Sequence, residues 1–438
     1  MSLATPALID LAISVLADAQ GGGRASAALG QAISYRRLQP PEAEQLTALV
    51  YGAFRRELRV REALREVGTD MRGPNQPRLG IIGAALLDGA AVLDLDAART
   101  TWSEVSWQRF LQADKAILER TSGAAKLALL GSLPDFLAAS LAHEYGEEAE
   151  ALAASLAEPA PRALRVNSLR ADVAQARERL EKEGAKVSPG RFGRRTLLLE
   201  GAFNPFVTRA FHEGLFELQD EGSQLACELV APPPRGLVVD ACGGAGGKSL
   251  AIAAALEGRG KVVSLDVDNS KLVELRRRAK RAGAANIQAI GIEEEGALPE
   301  EITALTGKAD RLLIDAPCSG TGTLRRNPEA RGRLTAAAVE RLVATQRSIL
   351  ERTLPLLAQG GRLVFVTCSL LRAEGEELMD AVEAAHPELD PVNLAEIYDR
   401  AYIERFPRSA PHRARFLPHL HGTDGFFITV LRRRKVGS

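Results

Sequence analysis

Two short segments carry side chains that could do covalent chemistry: DAPCSGTG at 315–322 and FVTCSL at 365–370. Each sets a cysteine just past an apolar run, RLLID (311–315) or RLVFV (362–366), that reads as a buried strand. In open α/β sheets ligands bind outside the carboxyl ends of the strands. A right-handed crossover between these two strands makes them neighbours, so Cys318 and Cys368 open towards one crevice. A single cysteine at a strand end also serves as a small apolar residue. Two of them, flanked by Pro317, Ser319 and Gly320 and by Thr367 and Ser369, point to paired thiols at a substrate.

The second feature is VVDACGGAGGKSLAIA (238–253), a strand, a small-residue loop and a helix. Cys242, Gly243, Gly244, Ala245, Gly246, Gly247 and Lys248 let backbone pass close to a ligand, and the helix start behind them presents free N–H groups. The spacing is not that of an ATP-type phosphate loop. Asp266 ends the next strand and suits ribose hydroxyls. The loop indicates a nucleoside cofactor and leaves open a dinucleotide or S-adenosylmethionine. A thiolate beside S-adenosylmethionine has a specific use. Carbon 5 of cytosine is a poor nucleophile until a thiolate adds at carbon 6, and a second thiol or a base can then assist release. Asp315 is placed to hydrogen-bond N3 of such a ring.

The elements that must position these groups follow from the patterning. Residues 1–155 read as helical, with apolar faces at 7–19, 42–54, 79–93 and 136–156 and breakers at 21–23, 40–41, 72–77 and 132–134. Trp102 and Trp107 read as core. ALRVN, a helix over 171–184 and TLLLEG (196–201) form a small mixed segment. From about 215, strands at 237–240, 261–266, 287–291, 311–315, 362–366 and 426–431 alternate with helices, the pattern of a parallel sheet covered on both faces.

Composition narrows the class. The chain has 438 residues, 46% hydrophobic, and Lys+Arg and Asp+Glu are both 56. A net charge of +0 makes any phosphate binding a matter of local clusters. The four cysteines form no CxxC pair, which disfavours a disulfide scaffold or a zinc ribbon and fits a reducing cytoplasm. The N-terminus reads as a helix start rather than a signal peptide, and no metal or membrane partner is expected.

These blocks resemble the RNA cytosine carbon-5 methyltransferases of the RsmB/Sun/NOP type, and more closely the bacterial RsmB-like members with a NusB-like domain in front. The likeness runs from about 132 to 432 through LPDFLAASLAHEYGEEAEAL, EPAPRALRVNSLR, FELQDEGSQLACELVAP, VVDACGGAGGKS, LLIDAPCSGTGTLRRNPEARGRLT, LVFVTCSLLRAEGEE and HGTDGFFI. It implies an all-helical NusB-like RNA-binding domain at 1–145, a linker helix and small α+β RNA-binding segment at 146–215, and an α/β Rossmann-like methyltransferase domain at 216–438. It implies a monomeric cytoplasmic enzyme that uses S-adenosyl-L-methionine to methylate a cytosine in structured or single-stranded RNA, ribosomal or transfer. A non-catalytic RNA-binding assembly factor and a nicotinamide-dependent oxidoreductase are the competing readings. By the resemblance Cys368 is the nucleophile and Cys318 assists release. Asp315 touches base and cofactor, Lys248 fixes Asp315 electrostatically, Cys242 to Lys248 hold the cofactor, and Asp266 binds its ribose.

Three positions depart from the family pattern. Ala245 replaces a proline and is expected to loosen the turn. Ile292 stands where an acid is usual, with Glu293 or Glu294 as substitutes. Gly332 stands where many members have tryptophan. Local basic clusters supply the RNA contacts: Arg165 and Asn167 in the small segment, Arg325, Arg326, Arg331 and Arg333 after the Cys318 loop, and Arg405, Arg408, Arg413 and Arg415 further on. RRRAKR (276–281) and RRRK (432–435) read as solvated faces.

Overall fold

A computed structural model describes residues 4–21, 25–89, 93, 96, 98, 101–398, 400–404 and 406–435. The chain forms two compact units, one of residues 1–159 with 324–336, the other of 160–323 with 337–438. The boundaries expected at 145 and 215 do not coincide with this division, which places 146–159 in the first unit and 160–215 with the residues that follow them. A short segment directly after the Cys318 loop belongs to the helical unit.

The helical unit packs amphipathic helices around Leu46, Leu64, Ile81, Ile82, Trp107 and Phe110, all buried. Both tryptophans lie in this core. The helix expected over 136–156 is two, Asp135–Tyr145 and Ala149–Leu156, because Gly146 adopts φ +52° between them. The helix expected over 79–93 runs from Gln76 to Leu87, and part of its expected end lies outside the described residues. Among the described residues no single helix is long and apolar enough to cross a membrane.

Arg331 explains why 324–336 stays with this unit. Its guanidinium is buried and donates to the carbonyls of Gly131 (2.8 Å), Leu324 (3.1 Å), Pro328 (3.2 Å) and Leu156. Gly131 and Leu156 end two helices, whose last carbonyls lack intrahelical partners and carry the negative end of the dipole. Burial pushes the Arg331 pKa down to about 9, yet the carbonyl cage keeps a cation there. Arg325 is buried beside it, donating to Pro159 (2.9 Å) while its own carbonyl accepts from Arg55 (2.8 Å).

The second unit holds two sheets. The smaller is antiparallel, in the order β2-β3-β1-β4, with β1 Arg162–Val166, β2 Lys186–Pro189, β3 Thr196–Glu200 and β4 Phe216–Leu218. The helix expected over 171–184 runs from Val173 to Lys182, capped by Asp172, and covers the sheet with Ala176 and Leu180.

The larger sheet runs β11-β12-β13-β9-β8-β5-β6-β7, with β10 on β13. Its strands are β5 Leu237–Asp240, β6 Lys261–Asp266, β7 Ile287–Gly291, β8 Ala309–Asp315, β9 Leu357–Thr367, β10 Leu389–Pro391, β11 Arg408–Ala410, β12 Arg413–Phe416 and β13 Phe426–Arg433. The pairs from β9 through β8, β5 and β6 to β7 are parallel. The expected strands are all present; β10, β11 and β12, of three or four residues, are too short for a sequence pattern to mark them. Alternate residues face opposite sides. Val238, Val262, Leu313 and Val364 pack with Leu225, Leu250 and Leu272, whereas Val239, Val263, Leu312 and Leu363 pack with Ile302, Leu350 and Met379. Cover on both faces accounts for the unbroken apolar runs.

Buried polar links join the two sheets. Glu217 of β4 is buried and pairs with Arg278 (2.9 Å) and Arg281 of the helix Asn269–Ala282. Arg278 and Arg281 of RRRAKR thus form a seam rather than a solvated face. Removing one partner of a buried pair leaves uncompensated charge, so Glu217→Ala should cost about 3 kcal/mol. A chemical-denaturation midpoint indistinguishable from the parent protein would contradict this.

Candidate active site

The sheet reverses direction of growth at β5. From it the chain steps outward to β6 and β7, then returns to place β8 on the other side. Such a switch point opens a crevice at the carboxyl ends of the strands, and every catalytic and cofactor residue expected from the sequence sits along it.

The loop after β5 is held tightly. Gly243 N–H donates to Leu265 C=O (2.7 Å) and Gly246 N–H to Gly243 C=O (2.8 Å). Gly246 has φ +86°, and a Cβ on Gly243 would sit 1.8 Å from Ser264 Oγ. Only glycine meets both demands. The turn at Ala245, expected to be loose, is tethered from outside. Arg278 donates to the Ala245 carbonyl (2.7 Å), a tether that needs no proline. Cys242 is half-buried among apolar neighbours, and burial raises its thiol well above the usual range. Cys227 is likewise inert, raised to about 11 by burial.

Asp266 ends β6 and accepts N–H groups of Gly244 and Asp268, both at 2.8 Å. A carboxylate has about four acceptor sites, so capacity remains for ribose hydroxyls. Beneath the loop, Asp240 is fully buried. Its Oδ2 accepts from Ser249 (2.5 Å), and its Oδ1 is buried without a partner. The glycine cradle, the acid at the end of β6 and the free N–H groups at the start of the helix Gly247–Ala255 fit a nucleoside cofactor. Ile292 continues the ladder by donating to Asp266 C=O (3.1 Å), while Glu293 and Glu294 are exposed. A Cβ on Gly332 would meet open space.

The thiols follow from register. In the parallel pair β8/β9, Asp315 lies opposite Val366, and Ala316 N–H donates to Val366 C=O (2.9 Å). Cys318 and Cys368 leave the sheet at the same level, and their sulfurs are 3.2 Å apart. Both are free and half-buried, and the separation far exceeds a disulfide's roughly 2.05 Å. The neighbouring Cys368 sulfur, with burial and the Glu374 carboxylate, raises the Cys318 thiol well above its usual range. Cys318 therefore holds its proton and can donate it towards Cys368. Lys248 Nζ contacts Asp315 Oδ2 at 2.6 Å. Burial alone would lower the ammonium's pKa; Asp315 together with the Cys227 and Cys368 sulfurs more than offsets this, and the net direction is up.

Six of the residues expected to contact RNA are buried: Arg165, Asn167, Arg325, Arg331, Arg413 and Arg415. Arg165 and Asn167 are buried in the seam of the second unit. Arg165 donates to Gly247 C=O (2.6 Å) and Gln219, and Asn167 to Gly214 (2.8 Å) and Ala282 (2.9 Å). Arg325 and Arg331 serve the carbonyls of the helical unit described above, so in this conformation none of the four presents a guanidinium or amide to a phosphate. Arg326 is half-buried, and Arg333 and Arg408 are exposed. Arg413 and Arg415 pair with Glu383 and Glu376, and Arg405 lies outside the described residues. Arg432 and Arg434 pair with Glu396 and Asp390 at the surface. Sequence reasoning missed Asp240, Ser249, Gln346 and Glu374; Glu374 carried a weak signal through its place six residues after Cys368.

The fold and the crevice define a Rossmann-like methyltransferase with S-adenosylmethionine as cofactor. The chain belongs to the RsmB/F family of 16S rRNA methyltransferases. The family profile matches residues 227–432, and the ferredoxin-like domain of RsmF/B-like methyltransferases matches 133–205. It is 35% identical over 311 residues to the probable ribosomal RNA small subunit methyltransferase B of Bacillus subtilis (strain 168), spanning 70% of this chain and 68% of that one. It is 31% identical to the ribosomal RNA small subunit methyltransferase B of Thermus thermophilus, over 97% of both chains. The crystal structure of PH0851 superposes with a TM-score of 0.80 at 24% identity, covering 99% of this chain and 100% of that one, a likeness of fold.

The buried carboxyl of Asp240 has a pKa raised to about 6, chiefly by desolvation. Its protonated form is favoured in the fold, so its contribution is complete below the unfolded value near 3.9 and is lost as pH rises through 6. Asp240→Asn has no such loss. Its stability relative to the parent protein should grow by at most about 3 kcal/mol between pH 4 and 6.5 and then level off. A difference that is flat with pH in paired denaturation curves would show that Asp240 is already ionised at pH 4.

Proposed function

We propose that this protein methylates carbon 5 of a cytosine in small-subunit ribosomal RNA through a covalent adduct with Cys368. The observation that carries this reading is the pair of free thiols 3.2 Å apart at the ends of adjacent parallel strands, beside the Lys248–Asp315 pair. The names of the bacterial relatives support the ribosomal substrate.

Cys242 to Lys248 and Asp266 would hold S-adenosylmethionine, which when bound would supply an electrophilic methyl group. The chain's own residues do the rest. The Cys368 thiolate adds to carbon 6, which turns the C5–C6 double bond into an electron-rich enamine centred on carbon 5. On the N3 side of the ring, where negative charge gathers during addition, Asp315 accepts from the N4 amino group, and the Lys248 ammonium that holds this carboxylate supplies the compensating positive charge. After methylation a base takes the carbon 5 proton. The C–H electrons restore the C5–C6 double bond, and the C6–S pair leaves with Cys368. Cys318, which keeps its proton, hydrogen-bonds the departing sulfur. A cytosine reaches this crevice only out of its stack, which favours loops and single strands. We assign RNA capture outside the crevice to the small antiparallel sheet and the helical unit.

Cys368→Ala should abolish methylation of transcribed 16S ribosomal RNA. Cys318→Ala should leave enzyme bound to RNA as a band that survives a denaturing gel. Residual methylation by Cys368→Ala would remove it as nucleophile. Bisulfite sequencing of total RNA with and without the protein should show one changed cytosine in 16S RNA; a changed position only in transfer RNA would overturn the ribosomal assignment.

A further inference from the structure

Glu374 lies in the turn after the Cys368 loop and is fully buried. Its Oε1 accepts from the Ser319 backbone N–H (2.8 Å) and from Gln346 Nε2 (3.0 Å). Its Oε2 accepts from the hydroxyls of Ser369 (2.6 Å) and Ser319. All four partners can donate, the pattern suited to a carboxylate, which only accepts. Two donors come from the residue after Cys318 and one from the residue after Cys368. The fourth, Gln346, is itself fully buried and also donates to the Pro317 carbonyl (2.9 Å), on the other side of Cys318.

Further bonds close the same lattice. Thr321 Oγ1 accepts from Leu370 N–H (2.8 Å), and Gly322 N–H donates to the Cys368 carbonyl (2.9 Å). Arg415 donates to the Ser369 carbonyl (2.7 Å), but its charge is matched by Glu376. Among the described residues no cation forms an ion pair with Glu374. A buried carboxylate held only by neutral donors is costly, and breaking its bonds is costlier still. Neutral side chains could staple two loops together. The charge adds something a staple does not need, namely a negative group against the Cys318 thiol, whose proton it helps to retain.

We propose that Glu374 is the positioning residue of the thiol pair: it ties the Cys318 loop to the Cys368 loop and governs release of the modified base rather than attack on it. This rests on the covalent reading above. Attack needs Cys368, a bound base and the Lys248–Asp315 pair. Release needs the Cys318 S–H held against the departing sulfur, and that is the geometry Glu374 sets.

The test compares the parent protein, Glu374→Gln and Cys318→Ala with transcribed 16S ribosomal RNA and S-adenosylmethionine. Glutamine keeps the shape and removes the charge. Glu374→Gln should bind the cofactor with unchanged affinity by calorimetry, turn over roughly 100-fold more slowly, and accumulate the denaturation-resistant RNA band as Cys318→Ala does. Parental turnover, or slow turnover without the band, overturns the proposal, as does loss of cofactor binding together with activity. Should Glu374→Gln not fold, Ser319→Ala and Ser369→Ala each remove one donor and should build up the same band to a smaller extent; no band from either overturns it. If Cys368→Ala still methylates, the covalent reading itself fails and takes the proposal with it. If Cys368→Ala is dead and Glu374→Gln behaves as the parent, only the role of Glu374 fails.

Discussion

Asp315 and Val366 sit opposite each other in two buried parallel strands, and almost everything at the active site inherits its place from that register. Both chains leave the sheet at the same height. One then runs three residues to Cys318 and the other two to Cys368, so sulfurs fifty positions apart in sequence come within 3.2 Å. A one-residue slip would exchange the two buried faces of β8, separating Leu313 from Val364 and Ile314 from Phe365. The apolar packing on both faces of the sheet is therefore also what aligns the thiols.

The charges at this site are arranged so that few are spent on solvent. Lys248, rooted at the start of the helix behind the glycine loop, reaches across to Asp315, linking the cofactor side of the crevice to the side where a base would lie. Glu374 faces the other way, into hydroxyls and amides, and biases the thiol pair without neutralising anything. One carboxylate thus has a counter-ion and the other has none.

Arginine has a different role here from the one its abundance suggests. Arg331 caps the ends of two helices, Arg165 and Arg278 hold the cofactor loop from behind, and Arg281 joins Arg278 on Glu217. A guanidinium has five donors in a rigid fork, which suits a cluster of backbone carbonyls as well as it suits a phosphate. A chain with zero net charge can spend its cations on architecture, and this one does.

The sequence by itself determined the strand–helix alternation, the glycine loop, the acid after β6 and the two cysteine loops. These are local: strand periodicity, turn-forming residues and short spacings are written in neighbouring positions. It was enough to mark Cys318, Cys368, Asp315, Lys248 and Asp266 before any contact was known. What only the tertiary structure decided is which polar residues face inward. Arg325 and Arg331 have the spacing of a surface cluster, but the carbonyls they satisfy come from Gly131, Leu156 and Pro159, more than 150 positions away. Arg165 and Asn167 likewise meet Gly247 and Ala282 only once the two sheets have closed. Glu374 looks like one acid in a run of three until Ser319, Gln346 and Ser369 converge on it. Burial and long-range hydrogen bonding are properties of the packed chain, and no local pattern records them.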